Sequence, residues 1–111
     1  MSTKPLARET LVAVAHRFKV LAEPARLAVL NVLREGPLTV SDLIEATGLN
    51  QANLSKHLQL LHASGFVTRR RAGLFVIYEL ADASVFALCD VMCGQLKRQA
   101  TAQAKRLRVA G

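Results

Sequence analysis

The stretch NLSKHLQLLHASGFVTRRRAGLFVIYEL, Asn53 to Leu80, decides how this chain is read. Leu54, Leu58 and Leu61 recur at helical spacing and fall on one side of a helix. Gln51, Ser55 and Gln59 fall on the other side, flanked by Lys56 and His62. Gly65 ends that helix. FVTRRR and LFVIYEL then have strand composition, and Ala72-Gly73 between them reads as a tight hairpin turn.

Upstream, TVSDLIEATG offers Thr39 or Ser41 as a helix cap, Leu43 and Ile44 as a buried side, and Gly48 as a left-handed terminator. Only Gly48, Leu49 and Asn50 separate this helix from the next. Two helices joined by so short a glycine-containing turn are the signature of a helix-turn-helix. Further back, Leu11, Val14, Ala15, Phe18 and Leu21 predict a first helix over residues ~6 to 21. Pro24 opens a second helix, where its missing N–H costs nothing, and Leu27, Leu30 and Leu33 line it until Glu35-Gly36-Pro37. After the hairpin, Val85, Cys89, Met92, Leu96 and Ala100 mark a long last helix reaching about Leu107. The order is α-α-α-α-β-β-α, mainly α with a small β-hairpin: a winged helix-turn-helix with an extra helix at each end.

A chain of 111 residues suits one domain, 1–111, with about five N-terminal and about four C-terminal residues expected to be flexible. No apolar run approaches the roughly 18 residues of a spanning helix, so no membrane role is expected. The start MSTKPLARET lacks an apolar leader core, which points to the cytoplasm and to reduced cysteines. Fifteen Lys+Arg against eight Asp+Glu give a net charge of +7, unevenly spread. No acidic residue lies between Glu45 and Glu79, a span that holds Lys56, Arg69, Arg70 and Arg71. After Asp90 there is again none, while Lys97, Arg98, Lys105, Arg106 and Arg108 follow. Single-sign zones of this kind fit a polyanionic partner, against the plainer reading of a solvated surface.

The second helix of a helix-turn-helix lies in the major groove of double-stranded DNA, so its outer side needs short polar groups that reach base edges. Gln51, Asn53, Ser55, Lys56 and Gln59 meet that need, with His57 at the edge of the leucine stripe, where it packs or touches phosphate. Gln and Asn can pair bidentately with adenine, and Lys can reach guanine or a phosphate. Strand alternation puts Arg69 and Arg71 on one face of the hairpin and Arg70 on the other. There they can clamp neighbouring phosphates or enter the minor groove, although charge on an exposed strand also resists aggregation.

The segments LAEPARLAVL, LSKHLQLLHASGFV and RRRAGLFVIYEL, in this order and spacing, resemble the ArsR/SmtB family of bacterial winged-helix repressors. The resemblance runs over roughly residues 11 to 107. It implies a homodimer built from the first and last helices, an operator containing an imperfect inverted repeat, and release from DNA when an effector binds. A dimer has independent support, since the long last helix carries more apolar surface than so small a chain needs for itself.

The effector is less legible. One metal site of the family uses two cysteines at the start of the third helix, where this chain reads LTVSDLIE. Another uses Asp and His of the last helix, but His16, His57 and His62 all lie upstream of it. What remains is LCDVMCGQL, with Cys89 and Cys93 one helical turn apart and Cβ atoms about 5–6 Å from each other. A direct disulfide wants about 3.5–4.5 Å, so a thiophilic metal or metalloid ion, or a reactive sulfur species adding sulfur atoms, bridges that gap better. Cysteines of two protomers could also meet across the dimer axis. Equally, Cys89 sits mid-stripe and can serve as a small hydrophobe. Asp82 and Asp90 could add oxygen ligands. No resident cofactor is required.

Two other classes compete with this reading. A winged-helix module docking protein or RNA, with structural cysteines, would show an apolar outer side on the fourth helix rather than a polar one. A thiol enzyme would need a histidine, a helix N-terminus or a CxxC motif beside its cysteine, and none is present. The chain therefore reads as a DNA-binding repressor and not as an enzyme.

Overall fold

The computed structural model describes the backbone of residues 4–110 and the side chains of residues 4–107. Of the ends expected to be flexible, residues 1–3 and 111 lie outside the described backbone, whereas residues 108–110 continue the last helix. Lys4 and Pro5 are described, as exposed non-helical backbone ahead of the first helix. The chain divides at Ala81–Asp82 into two compact units.

In the first unit α1 spans Arg8–Leu21 and α2 spans Pro24–Val32, followed by a 3-10 turn at Leu33–Glu35. Pro24 is the first residue of α2, as the sequence predicts. A two-residue strand, β1 (Leu38–Thr39), leads directly into α3 (Val40–Thr47). Thr39 caps α3 reciprocally: its Oγ1 accepts from the Asp42 N–H at 3.1 Å, and its own N–H donates to Asp42 Oδ2 at 3.2 Å. Gly48 stands at φ +73°, a left-handed conformation that glycine adopts without strain, and its N–H closes onto the Ile44 carbonyl at 2.9 Å. The Thr47 hydroxyl donates to the Leu43 carbonyl at 2.6 Å and accepts from the Leu49 N–H at 3.3 Å, which ties the turn from both ends.

Helix α4 is Gln51–Ala63, with Asn50 as its cap through a 2.8 Å bond from the Asn53 N–H to Asn50 Oδ1. Leu54, Leu58 and Leu61 are at most 2% exposed. They join Val29, Leu30, Leu33, Leu43 and Val67 in an all-apolar core, each large side chain contributing about 1.5–3 kcal/mol by its burial. No polar or charged residue is buried among those described.

Strands β2 (Val67–Ala72) and β3 (Phe75–Leu80) form the hairpin, and β1 pairs with the other edge of β3, giving the antiparallel order β1-β3-β2. Two details differ from the sequence reading. The turn is Gly73-Leu74, because Ala72 is still paired with Phe75. Gly73 has φ +61° and no described residue other than glycine has positive φ, the pattern of a type II′ turn that needs glycine only at its first position. The third strand is an addition to the sequence reading, being too short to show alternation.

In the second unit, Asp82 Oδ1 accepts from the Ser84 N–H at 2.8 Å just ahead of α5 (Val85–Ala110). Bonds from the Ser84 backbone N–H and hydroxyl hold the Asp82 carboxyl below its ordinary value of 3.8. Leu88, Val91, Met92 and Leu96 share one side of α5 and are 44 to 64% exposed. No helix among the described residues is long and apolar enough to cross a membrane.

Candidate nucleic-acid interface

An α-helix turns about 100° per residue, so the buried leucines of α4 define its outer side. Ala52, Lys56 and Gln59 lie directly away from them, with Gln51 and Ser55 on one flank and Asn53 on the other. All six are exposed. Ala52 is not among the residues that the sequence singles out; a methyl at the centre of this side suits close approach and contact with a thymine methyl. His57 is placed differently from the rest. It is half-buried, and its Nδ1 accepts from Arg26 Nη1 at 3.3 Å.

The hairpin register sets Arg69 opposite Tyr78, Arg70 opposite Ile77 and Arg71 opposite Val76. Arg69 and Arg71 therefore share a face with buried Val67 and Tyr78, and Arg70 takes the reverse face with Thr68. All three arginines are exposed, as is Lys56, and among the described residues no acidic group pairs with any of them. Their charge is free to meet a polyanion.

One concavity joins these parts. It is lined by Thr39, Val40, Ser41 and Ile44 of the β1–α3 segment, by Gln51 and Ser55 of α4, and by Leu74, Phe75 and Val76 at the hairpin tip. The tip thus lies beside the first turn of α4, and short hydroxyl groups line the gap between them. Leu74 is fully exposed and Phe75 is 59% exposed, an apolar tip next to the arginines that sequence reasoning misses because it places the turn one residue early. Apolar side chains of this kind can press on sugar walls or wedge a flexible base step in a minor groove.

On α5, Cys93 is exposed and Cys89 half-exposed, and both thiols are free. Among the described residues no three His, Cys, Asp or Glu side chains are grouped to hold a metal ion. Asp82 is committed to the start of α5. His16 is exposed and His62 half-buried, apart from the thiols in sequence and, with His57, in the other unit. Lys97, Arg98, Lys105 and Arg106 are exposed along α5, while the Arg108 side chain lies outside the described residues.

The family described as "Bacterial regulatory protein, arsR family" matches residues 23–69, from just before α2 into β2. The HTH-type transcriptional regulator NmtR of Mycobacterium tuberculosis is 42% identical over 86 residues, which cover 78% of this chain and 72% of the relative. The HTH-type transcriptional repressor SmtB of the same species is 41% identical over 78 residues, covering 70% of this chain and 58% of that protein. Among solved structures, the homodimeric winged helix-turn-helix DNA-binding domain Mb0332 of Mycobacterium bovis superposes with a TM-score of 0.72 at 32% identity, covering 89% of this chain and 95% of that one.

Proposed function

Because the chain belongs to the ArsR family of bacterial regulatory proteins, we propose that it represses transcription by gripping an operator as a homodimer, each copy acting as a single DNA-binding and dimerisation domain. It is a DNA-binding regulator and not an enzyme. The observation that carries the reading is the continuity between the polar side of α4 and the unpaired Arg69–Arg71 hairpin, which meet at the Gln51–Ser55–Phe75 concavity.

In the proposed complex α4 enters the major groove. Gln51, Asn53, Ser55 and Gln59 face base edges, and Lys56 reaches guanine or a phosphate. The arginines hold the flanking backbone or a narrow minor groove. His57, already bonded to Arg26, steadies α4 from behind. A second copy covers the exposed apolar faces of α1 (Leu11, Val12, Phe18) and of α5, and so places two α4 helices on half-sites about one helical turn apart.

The effector acts through the α5 thiols. Cys89 and Cys93 are accessible and one turn apart, a spacing suited to added sulfur atoms or to a thiophilic ion completed by thiolates of the second copy. Mass measurement of the protein after arsenite, Hg²⁺, polysulfide or peroxide is expected to show one specific adduct. Cys89→Ser and Cys93→Ser should lose that adduct and remain on the operator. Release unaltered by replacing both cysteines would place the effector elsewhere.

Gel shifts with genomic fragments test the DNA reading. Tight binding to an inverted repeat is expected, weakening steeply with salt as phosphate contacts release counterions. The apolar Leu74-Phe75 tip is what favours the other reading, a module that docks protein or RNA. Indifference to duplex DNA at low salt would select it.

A further inference from the structure

Two arginines outside the DNA-facing surface fasten α1 to α4. Arg17 projects from α1, and its Nη1 donates to the Ser64 carbonyl at 2.8 Å. Ser64 follows the last residue of α4, where helix carbonyls lack internal partners and the helix dipole is negative. The same guanidinium stands 4.3 Å from the centroid of the buried Phe66 ring, so one cation is held by a charge-assisted bond and by an aromatic face. Arg26, half-buried on α2, reaches two ways. Its Nε donates to the Val20 carbonyl in the last turn of α1, and its Nη1 donates to Nδ1 of His57 on α4 at 3.3 Å. A guanidinium has no acceptor, so Nδ1 supplies the lone pair in this bond.

Helix α1 is thus tied to the middle of α4 through Arg26 and to its C-terminal end through Arg17. Burial of the apolar core supplies most of the attraction within this unit, but apolar contacts are non-directional and tolerate sliding. The guanidinium bonds do not, since their angles are fixed.

We propose that Arg17 and Arg26 are positioning residues that fix the tilt of α4 against α1, and thereby set the half-site spacing that the dimer accepts. The inference rests on the reading of the chain as a DNA-binding homodimer with α1 at the interface. In that dimer the distance between the two reading helices is only as definite as the α1–α4 joint within each copy. The lever is long enough to matter. Thirteen residues make α4 about 20 Å long, so a tilt of roughly 10° moves its end by about 3.4 Å, one base-pair step.

The experiment uses the full chain and a duplex selected for tight binding by the wild-type protein. The separation of its half-sites is then lengthened and shortened by single base pairs. Wild-type protein is expected to bind the altered duplexes at least about tenfold more weakly, a difference of about 1.4 kcal/mol. Arg17→Ala should compress that discrimination to roughly threefold or less, with its base preference within each half-site unchanged, and Arg17→Lys should restore part of it. Arg26→Gln should act in the same direction. If it fails to fold, the exposed Arg17 still decides the matter. Equal weakening on every spacing would mean a structural role only and overturn the proposal, as would full discrimination retained by Arg17→Ala. Wild-type protein that binds no duplex, or binds all spacings alike, would remove the dimeric DNA reading itself and this inference with it.

Discussion

Helices α4 and α5 handle their apolar residues in opposite ways. α4 hides Leu54, Leu58 and Leu61 almost completely and turns glutamine, asparagine, serine and lysine outward. α5 buries Val85 and Phe86 at its start and then leaves Leu88, Val91, Met92 and Leu96 largely open to solvent. The contrast separates two tasks. A finished, polar outer side suits a hydrated polyanion, whereas an open apolar side suits a second copy of the same surface.

The largest effect is expected where α5 is made to look like α4. Val91→Asp combined with Leu96→Asp should leave a single chain in light scattering and weaken operator binding by about a hundredfold or more, because two linked half-sites gain from effective concentration. A variant that stays dimeric, or binds as a monomer with undiminished strength, breaks the contrast. Next comes the hairpin. Replacing Arg69, Arg70 and Arg71 together by Ala should weaken all sequences alike and lower the salt slope by about 0.9 for each phosphate no longer neutralised. An unchanged slope would remove the hairpin from the interface.

Narrower effects sharpen the account of each helix. Gln51→Ala and Ser55→Ala should relax preference at one base pair each, by about 1–3 kcal/mol, and leave the salt slope alone. The smallest change is at the start of α5. Hydrogen bonds from Ser84 depress the Asp82 carboxyl, so its contribution is complete above its ordinary value of 3.8 and fades as pH falls through the lower folded value. Melting curves of wild type and Asp82→Ala should differ slightly at neutral pH and converge in acid; a gap that widens in acid would contradict the assignment.

Much of the fold is legible in the sequence because local signals agree with one another. The leucine repeat of α4, glycine at 48 and Thr39 at a cap all mark features set within a few residues. The hairpin turn falls one residue later than composition suggests, because composition marks the glycine and not the last strand pair. β1 is invisible at two residues, and its meaning lies wholly in pairing with a strand 38 positions later, Thr39 with Ile77. Arg17 and Arg26 escape a sequence reading for a similar reason. Their partners Ser64 and His57 are 47 and 31 residues away, a distance at which periodicity carries no information. On α5, the spacing of Cys89 and Cys93 is readable, but their accessibility emerges only in the folded chain.

Thr39 belongs at once to the sheet and to the start of α3, pairing with Ile77 of the hairpin while capping the helix that leads into α4. The hairpin is therefore stitched midway along its length to the segment that starts α3, which restrains its swing relative to the helix pair. In the proposed complex any misfit would then fall on the duplex, and a clamp of this kind would sort operators by how readily they bend as well as by their letters.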